Sequence, residues 1–463
     1  MTAPPVVTRP VGRVRTSPGW RDAIGVLTWT SLLVVVALWV GDGELRAFTG
    51  WTSALNSLGR LTGLVAADLL LIQVLLMARI PVVERVYGQD VLARRHRLVG
   101  FTSLNLMLAH VLLITIGYAG LDSKNVLVEA WDLVVQYPGM LLALVATGLL
   151  LMVAVTSVRK ARRRLRYESW HLLHLYAYLG AGLALPHQLW TGQEFLTHRA
   201  ATLYWWSLWI AAAGAVLVYR VGLPVYRTLR HDLRVTHVVQ ERPGVVSVWM
   251  AGRDLHRLPV AAGRFFTWRF LAGPGWTRGH PYSLSAAPTG TTLRITVKDL
   301  GDGSRAVARL RPGCRVLFEG PYGRLHSGVR TRPKVTLLAG GIGITPLRAL
   351  LEDLPQQPGD TTLVYRARAE QDVIFRSEIE QLARASGATV HVVLGQRVRD
   401  RESWLPQYAG HLSDADALVR LVPDIAEHDV YICGATGWME AAKAAALQAG
   451  VPARNVHDER FSW

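Results

Sequence analysis

The apolar and polar positions of this chain fall into two unlike patterns. Up to residue 222 long uncharged runs dominate, whereas from 230 to 463 short apolar runs alternate with polar ones. Six of the long runs approach the roughly 20 residues that a helix needs to cross a bilayer. They cover 24–40, 61–80, 98–117, 138–158, 170–189 and 202–221, the first and fifth being slightly short. They predict a six-helix transmembrane bundle over 23–222, preceded by a tail over 1–22. The tail is basic and contains proline, and no small-residue cleavage site follows the first run, so that run is expected to be a retained span. In the second half, runs at 234–240, 245–250, 264–271, 282–286, 293–300 and 315–319 have strand character, punctuated by Gly and Pro. That spacing predicts a small antiparallel β-barrel over 230–328. From Lys334 the order becomes strand, glycine turn, helix, strand, helix, which predicts an α/β doubly wound sheet over 332–463.

Composition changes this picture only through where the charge sits. A formal net charge of +17 would suit a nucleic-acid ligand. Its distribution points elsewhere. Arg9, Arg13, Arg15 and Arg21 precede the first run, and Arg85, Arg94, Arg95 and Arg97 separate the second from the third. Arg159, Lys160, Arg162, Arg163, Arg164 and Arg166 separate the fourth from the fifth, while the intervening loops carry only Arg46, Arg60, Lys124 and Arg199. Basic loops on alternate sides are the positive-inside signature. They predict a multi-pass protein of the cytoplasmic membrane with both termini cytoplasmic, set in a lipid bilayer and not on nucleic acid. Both cysteines, Cys314 and Cys433, lie in the second half. That excludes a disulfide framework and fits a reducing compartment.

Ionisable or metal-binding side chains inside a span are costly and mark function by default. The third run carries His96 and His110. On a helix their spacing puts both rings within about 40° of one face and about 21 Å apart along the axis. Two histidines on one face at opposite depths suit two stacked haems, for which imidazole is a common axial ligand. The fifth run offers His171, His174 and His187, of which His174 and His187 match in depth. They lie about 140° apart on a straight helix, so a π-bulge or break is expected, with Gly180, Gly182 or Pro186 as its cause. Taken singly, each histidine also reads as a hydrogen-bonded core residue. The stretches His96-Arg-Leu-Val-Gly…His110 and Tyr167-Glu-Ser-Trp-His-Leu-Leu-His174…His187 together resemble the ferric-reductase-type transmembrane domain, shared by NADPH oxidases and ferric reductases. The resemblance implies two b-type haems, the inner held by His96 and His174 and the outer by His110 and His187.

The second half carries motifs in a fixed order. His280, Pro281, Tyr282, Ser283, Leu284 and Ser285 fall on an expected strand, where alternation sends Tyr282 and Ser283 to opposite faces. An aromatic ring there can lie along a flavin while a hydroxyl reaches its polar edge. Lys298 begins a glycine turn through Gly303 and Ser304 that offers backbone N–H groups to a pyrophosphate, or simply closes a hairpin. Val335–Pro346 runs a buried strand into Gly340, Gly341 and Gly343, and then into a helix with Thr345 and Pro346 in its first turn. Glycines admit a phosphate to the backbone, and the helix N-terminus favours the anion. Arg366 and Arg368 follow the next strand with no acid at its tip, favouring NADPH and leaving NADH open.

These segments resemble the ferredoxin-reductase-like family, with His280 in the place of an arginine and Ala435 in the place of a proline after Cys433 and Gly434. The resemblance implies FAD, places Cys433 beside the hydride path, and assigns a flavin-stacking role to Phe461 or Trp463. Together with the membrane half it implies electron transfer from cytosolic NAD(P)H through FAD and two haems to oxygen, ferric iron or a quinone outside. In one alternative, the chain delivers electrons to a partner redox protein. In another, the membrane half is an anchor or transport module without haem.

Overall fold

The structure, a computed structural model, describes residues 18–162, 167–192, 198–273, 275–354 and 357–459. The chain divides into two compact units, one within Ser17–Gly222 and the other within Leu223–Trp463.

The first unit is helical. Its main helices are α1 (Pro18–Gly41), α2 (Trp51–Met77), α3 (Gln89–Leu121), α4 (Val126–Gln136), α5 (Met140–Ser157), α6 (Tyr167–Trp190) and α7 (Arg199–Ala215). Among the described residues five helices are long and apolar enough to cross a membrane, where the apolar runs predict six. The missing one is α6, equally long in residues but carrying three histidines, Glu168 and Gln188 within its 24 residues. Helices α2 and α3 pack through small residues, which let backbones approach when lipid offers no hydrophobic drive. A Cβ at Gly59 would lie 2.9 Å from Ile114, and one at Gly117 would lie 2.2 Å from Asn56. The carboxylate Oδ1 of Asp68 ties α1, α2 and α7 together by accepting from Ser31 Oγ at 2.8 Å and Tyr204 at 2.6 Å.

The second unit opens with α8 (Leu223–His231) and holds two lobes. The first lobe contains β1 (Arg234–Arg242), β2 (Val245–Ala251), β3 (Phe265–Phe270), β4 (His280–Ser283), β5 (Thr292–Lys298), a short helix α9 (Asp302–Val307) and β6 (Val316–Tyr322). Its strands form two three-stranded antiparallel sheets, ordered β1-β2-β5 and β4-β3-β6. The expected barrel is not continuously laddered: single bridges, Arg234 to Arg315 and Leu284 to Ile295, join the sheets. Fully buried Phe266, Trp268, Leu284 and Phe318 fill the space between them. The glycine segment after Lys298 forms α9 and not a hairpin.

The second lobe contains β7 (Val335–Gly340), α10 (Ile344–Asp353), β8 (Thr361–Arg366), α11 (Arg376–Ser386), β9 (Thr389–Val393), α12 (Asp414–Leu421), β10 (Asp429–Cys433), α13 (Thr436–Gln448) and β11 (Val456–Asp458). The strands form one parallel sheet ordered β11-β10-β7-β8-β9. Strands β7, β8 and β10 are buried along most of their length, as expected where helices cover both faces. The chain reverses direction of winding at β7, so a switch point opens between β7 and β10 at their carboxyl ends.

Candidate functional sites in each unit

In the membrane unit, α3 carries His96 and His110, and α6 carries His174 and His187. The rings of His96 and His174 meet with centroids 5.9 Å apart and planes at 65°. His110 and His187 are near enough to interact electrostatically. Three of the four rings are oriented by main-chain carbonyls. His96 Nδ1 faces Gln73 O at 3.3 Å, His110 Nδ1 faces Gly59 O at 2.7 Å, and His187 Nδ1 faces Ala184 O at 2.7 Å. A carbonyl can only accept, so in each case the proton sits on Nδ1 and Nε2 keeps its lone pair. His174 Nδ1 meets Ser157 Oγ at 3.2 Å, and Trp170 packs on the ring.

Glycine makes room for His110 and His187. A Cβ at Gly63 would lie 2.5 Å from His110 Nδ1, and one at Gly139 would lie 2.9 Å from the His187 backbone. The expected break in the fifth span is absent: α6 runs through Pro186 as a continuous α-helix. On it the His187 ring folds back onto the Ala184 carbonyl one turn earlier. The π-helical stretch lies elsewhere, at Val216–Gly222. Among the described residues no group of three or more His, Cys, Asp or Glu side chains is placed to hold a metal ion. Paired imidazoles with free Nε2 atoms fit an iron whose other ligands come from a porphyrin.

In the soluble unit, His280, Pro281 and Tyr282 are half-buried on β4, and the His280 and Tyr282 rings lie nearly parallel. Burial pushes the Tyr282 hydroxyl up to about 12. Ser283 is buried, and its Oγ has no hydrogen-bond partner among the described residues. An orphaned buried hydroxyl at this position fits a polar group of a flavin. Leu284 belongs to the core, and Ser285 Oγ is taken by Thr296 at 2.7 Å. Lys298 is exposed, Gly303 lies under the His280 ring, and Ser304 Oγ caps its own turn through Leu300 N.

The glycine turn and the Cys433 strand end meet at the switch point. A Cβ at Gly343 would lie 2.1 Å from the Cys433 carbonyl, so nothing but glycine fits. Gly341 has φ +55, a conformation glycine adopts without strain, and faces open space. Thr345 Oγ1 bonds back to Ile342 O, and Pro346 is buried in the first turn of α10. Burial, helped by the charge of Glu459, pushes the Cys433 thiol up, which disfavours the thiolate. Phe461 and Trp463 lie outside the described residues.

Arg366 is not placed as expected. It is buried, and its guanidinium bonds to the carbonyls of Ala367, Val393, Gln396 and Trp404. It braces the loop after β9, and its donors are taken up by main-chain carbonyls. Arg368 is exposed, and its carbonyl holds Gly395 beside a cleft of about 580 Å³ lined by Gln396, Arg399, Gln407 and Tyr408. Sequence reasoning missed this cleft because no motif marks it. It also missed Trp438, whose ring lies across Gly340 and Gly434, although a tryptophan four residues past a strand-ending Cys-Gly was visible.

The comparisons with known proteins follow this division. Residues 62–185 match the ferric reductase like transmembrane component, a span that includes His96, His110 and His174 and stops just short of His187. Residues 337–444 match the oxidoreductase NAD-binding domain. Ferredoxin–NADP reductase B of Sorangium cellulosum is 30% identical over 204 residues, 41% of this chain and 80% of that protein. The chain belongs to the ferredoxin–NADP reductase family. The reductase is a membrane protein, with a ferric-reductase-like transmembrane component joined to an FAD- and NAD(P)H-binding module. The glycine betaine monooxygenase reductase subunit of Chromohalobacter salexigens is 28% identical over 50% of this reductase. The chain spans 64% of that relative's length. Among solved structures, the flavohem-like FAD/NAD binding domain of a Vibrio cholerae nitric oxide dioxygenase is 25% identical over 50% of this chain and 99% of that one, with a TM-score of 0.41.

Proposed function

We propose that the reductase carries electrons across the cytoplasmic membrane, from cytosolic NADPH to an extracytoplasmic acceptor, oxygen or ferric iron. Bound FAD would accept the hydride and two b-type haems would pass single electrons onward. The observation that carries the reading is the set of Nδ1 contacts from His96, His110 and His187 to main-chain carbonyls. Each such contact fixes the ring and leaves Nε2 for iron. His96 and His174 would hold the inner haem at the arginine-rich end of α3, and His110 and His187 the outer. Ser283 would meet the flavin, and the Gly340–Gly343 turn would receive the nucleotide pyrophosphate. Arg368, with Arg399 and Tyr408 at the cleft, would select a ribose 2′-phosphate. The basic loops support cytoplasmic termini. Absorption spectra of the purified protein test the proposal: a b-type haem band reduced on adding NADPH is expected, and its absence sinks it.

A second reading rests on the relatives. Several are reductase components of monooxygenases by name, which favours delivery of electrons to a partner redox protein. Purified protein that reduces ferric chelates or oxygen unaided supports the first reading. Turnover that needs an added partner supports the second.

A further inference from the structure

The last residue of the flavin segment is held from both lobes at once. The Ser285 carbonyl accepts from Arg294 Nη2 at 2.7 Å and from Arg348 Nη1 at 3.3 Å. Arg294 belongs to β5 of the first lobe, and Arg348 to α10 of the second. Both guanidiniums converge on Glu378 of α11. Arg294 binds it with two hydrogen bonds, at 2.9 and 3.0 Å, and Arg348 Nε lies 2.8 Å from Oε2. One turn along α10 from Arg348, Glu352 pairs with it and accepts the Ala287 amide at 2.7 Å. The arginine side chains are only 3% and 8% exposed. Arg294 is further fixed between the Trp249 and Phe375 rings, at 5.1 and 4.8 Å.

Two buried cations sharing one carbonyl repel each other unless an anion stands between them. Glu378 is that anion. The helix it anchors begins directly after the Gly341–Gly343 turn and spans about 15 Å. One end of α10 therefore carries the nucleotide turn, while Arg348 and Glu352 grip the end of the flavin segment.

We propose that Glu378 is a positioning residue that, through Arg294 and Arg348, locks α10 to the Ser285–Ala287 segment and so sets the approach of nicotinamide to flavin. The proposal rests on the FAD and NAD(P)H reading of the two lobes. In the step concerned, a hydride carries both electrons from the nicotinamide to the flavin, leaving oxidised nucleotide and reduced flavin. Misplacement by about 1 Å is enough to slow such a step a hundredfold.

The test uses the full chain in detergent, loaded with FAD, comparing wild type, Glu378→Gln, Glu378→Asp and the double variant Glu378→Gln/Arg348→Met. Single-turnover flavin reduction at saturating NADPH should fall about ten- to a hundredfold in Glu378→Gln. Nucleotide affinity should change by no more than about twofold, and the isotope effect with NADPH deuterated at the transferred position should change. Amide exchange over residues 285–287 should rise in Glu378→Gln. Glu378→Asp, which keeps the carboxylate, should recover part of the rate, whereas the double variant, which also removes the Arg348 grip on Ser285, should recover none. A wild-type rate and isotope effect in Glu378→Gln overturn the proposal, even if exchange rises. Unchanged exchange at 285–287 overturns it whatever the nucleotide does. Failure of the underlying reading looks different, because then wild-type flavin is not reduced by either nucleotide.

Discussion

The membrane unit concentrates its candidate chemistry in four side chains on two helices, whereas the soluble unit spreads its own over main-chain turns at several strand ends. The candidate histidines offer ring nitrogens, each ring oriented by a hydrogen bond at Nδ1. The candidate nucleotide crevice is built of backbone, with Gly340 and Gly434 packed under Trp438, Gly343 against the Cys433 carbonyl, and Gly341 facing open space. A site made of single side chains is lost with one substitution. A site made of backbone degrades in steps, because each turn is held by several neighbours.

The largest expected effect tests the first half of that contrast. His110→Ala should remove one haem, leaving about half the b-type absorbance, and should slow electron delivery to an external acceptor more than about a hundredfold. Flavin reduction by NADPH should stay at the wild-type rate, because the soluble unit is intact. Pyridine haemochrome content and stopped-flow traces on one preparation decide it. Full haem content in His110→Ala would break the comparison.

The same contrast explains what was legible in the sequence. Spacing alone pairs His96 with His110, because a regular helix fixes angle and depth. It misjudges α6, where the expected break never forms. Periodicity describes backbone direction and not the rotamer, and the His187 ring is set by its contact with the Ala184 carbonyl. Likewise Gly343 is readable as a tight approach, while the identity of what approaches, the Cys433 carbonyl, needs the sheet order. Arg366 shows the limit most plainly. Its position at a strand tip suits a phosphate ligand, yet burial assigns its guanidinium to four carbonyls. Nothing local in the sequence records that the loop after β9 folds over it.

Acid should weaken the soluble unit through His326 and Asp429. Burial first, and then the charges of Arg264 and Arg324, push His326 from 6.5 down to about 3. Burial works against Asp429, but bonds from His457, Asn455 and the Thr331 and Arg332 amides outweigh it and hold the carboxyl at about 2, below its ordinary 3.8. Both folded values are depressed, so the unfolded chain binds more protons and stability falls as pH falls. The His326 contribution is lost between pH 6.5 and 3, and that of Asp429 between 3.8 and 2. Calorimetry should show the soluble transition moving to lower temperature through the first window, with the slope flattened in His326→Gln.

Arg366 and Arg368 should part company. Arg366→Ala leaves buried carbonyls unpaired and should cost about 2–4 kcal/mol in denaturant unfolding. Arg368→Ala should leave stability within about 0.5 kcal/mol and lower the preference for NADPH over NADH about tenfold, the loss of one charge-assisted phosphate contact. Steady-state kinetics with both nucleotides separates them. An unchanged preference in Arg368→Ala would remove this arginine from the cleft reading.

The smallest effect is the one whose sign says most. Ser283 Oγ is buried without a partner among the described residues, and such a group destabilises the protein that carries it by about 1 kcal/mol. If the hydroxyl is held for the flavin, Ser283→Ala should make the flavin-free protein more stable by about that amount while slowing flavin reduction several-fold. Stability and function then move in opposite directions, as they do where a fold stores strain at a working site. A structural serine would behave otherwise, losing stability with its hydroxyl and leaving the rate alone. Thermal unfolding of flavin-free protein, set beside single-turnover reduction of the loaded form, therefore separates the two roles with one substitution.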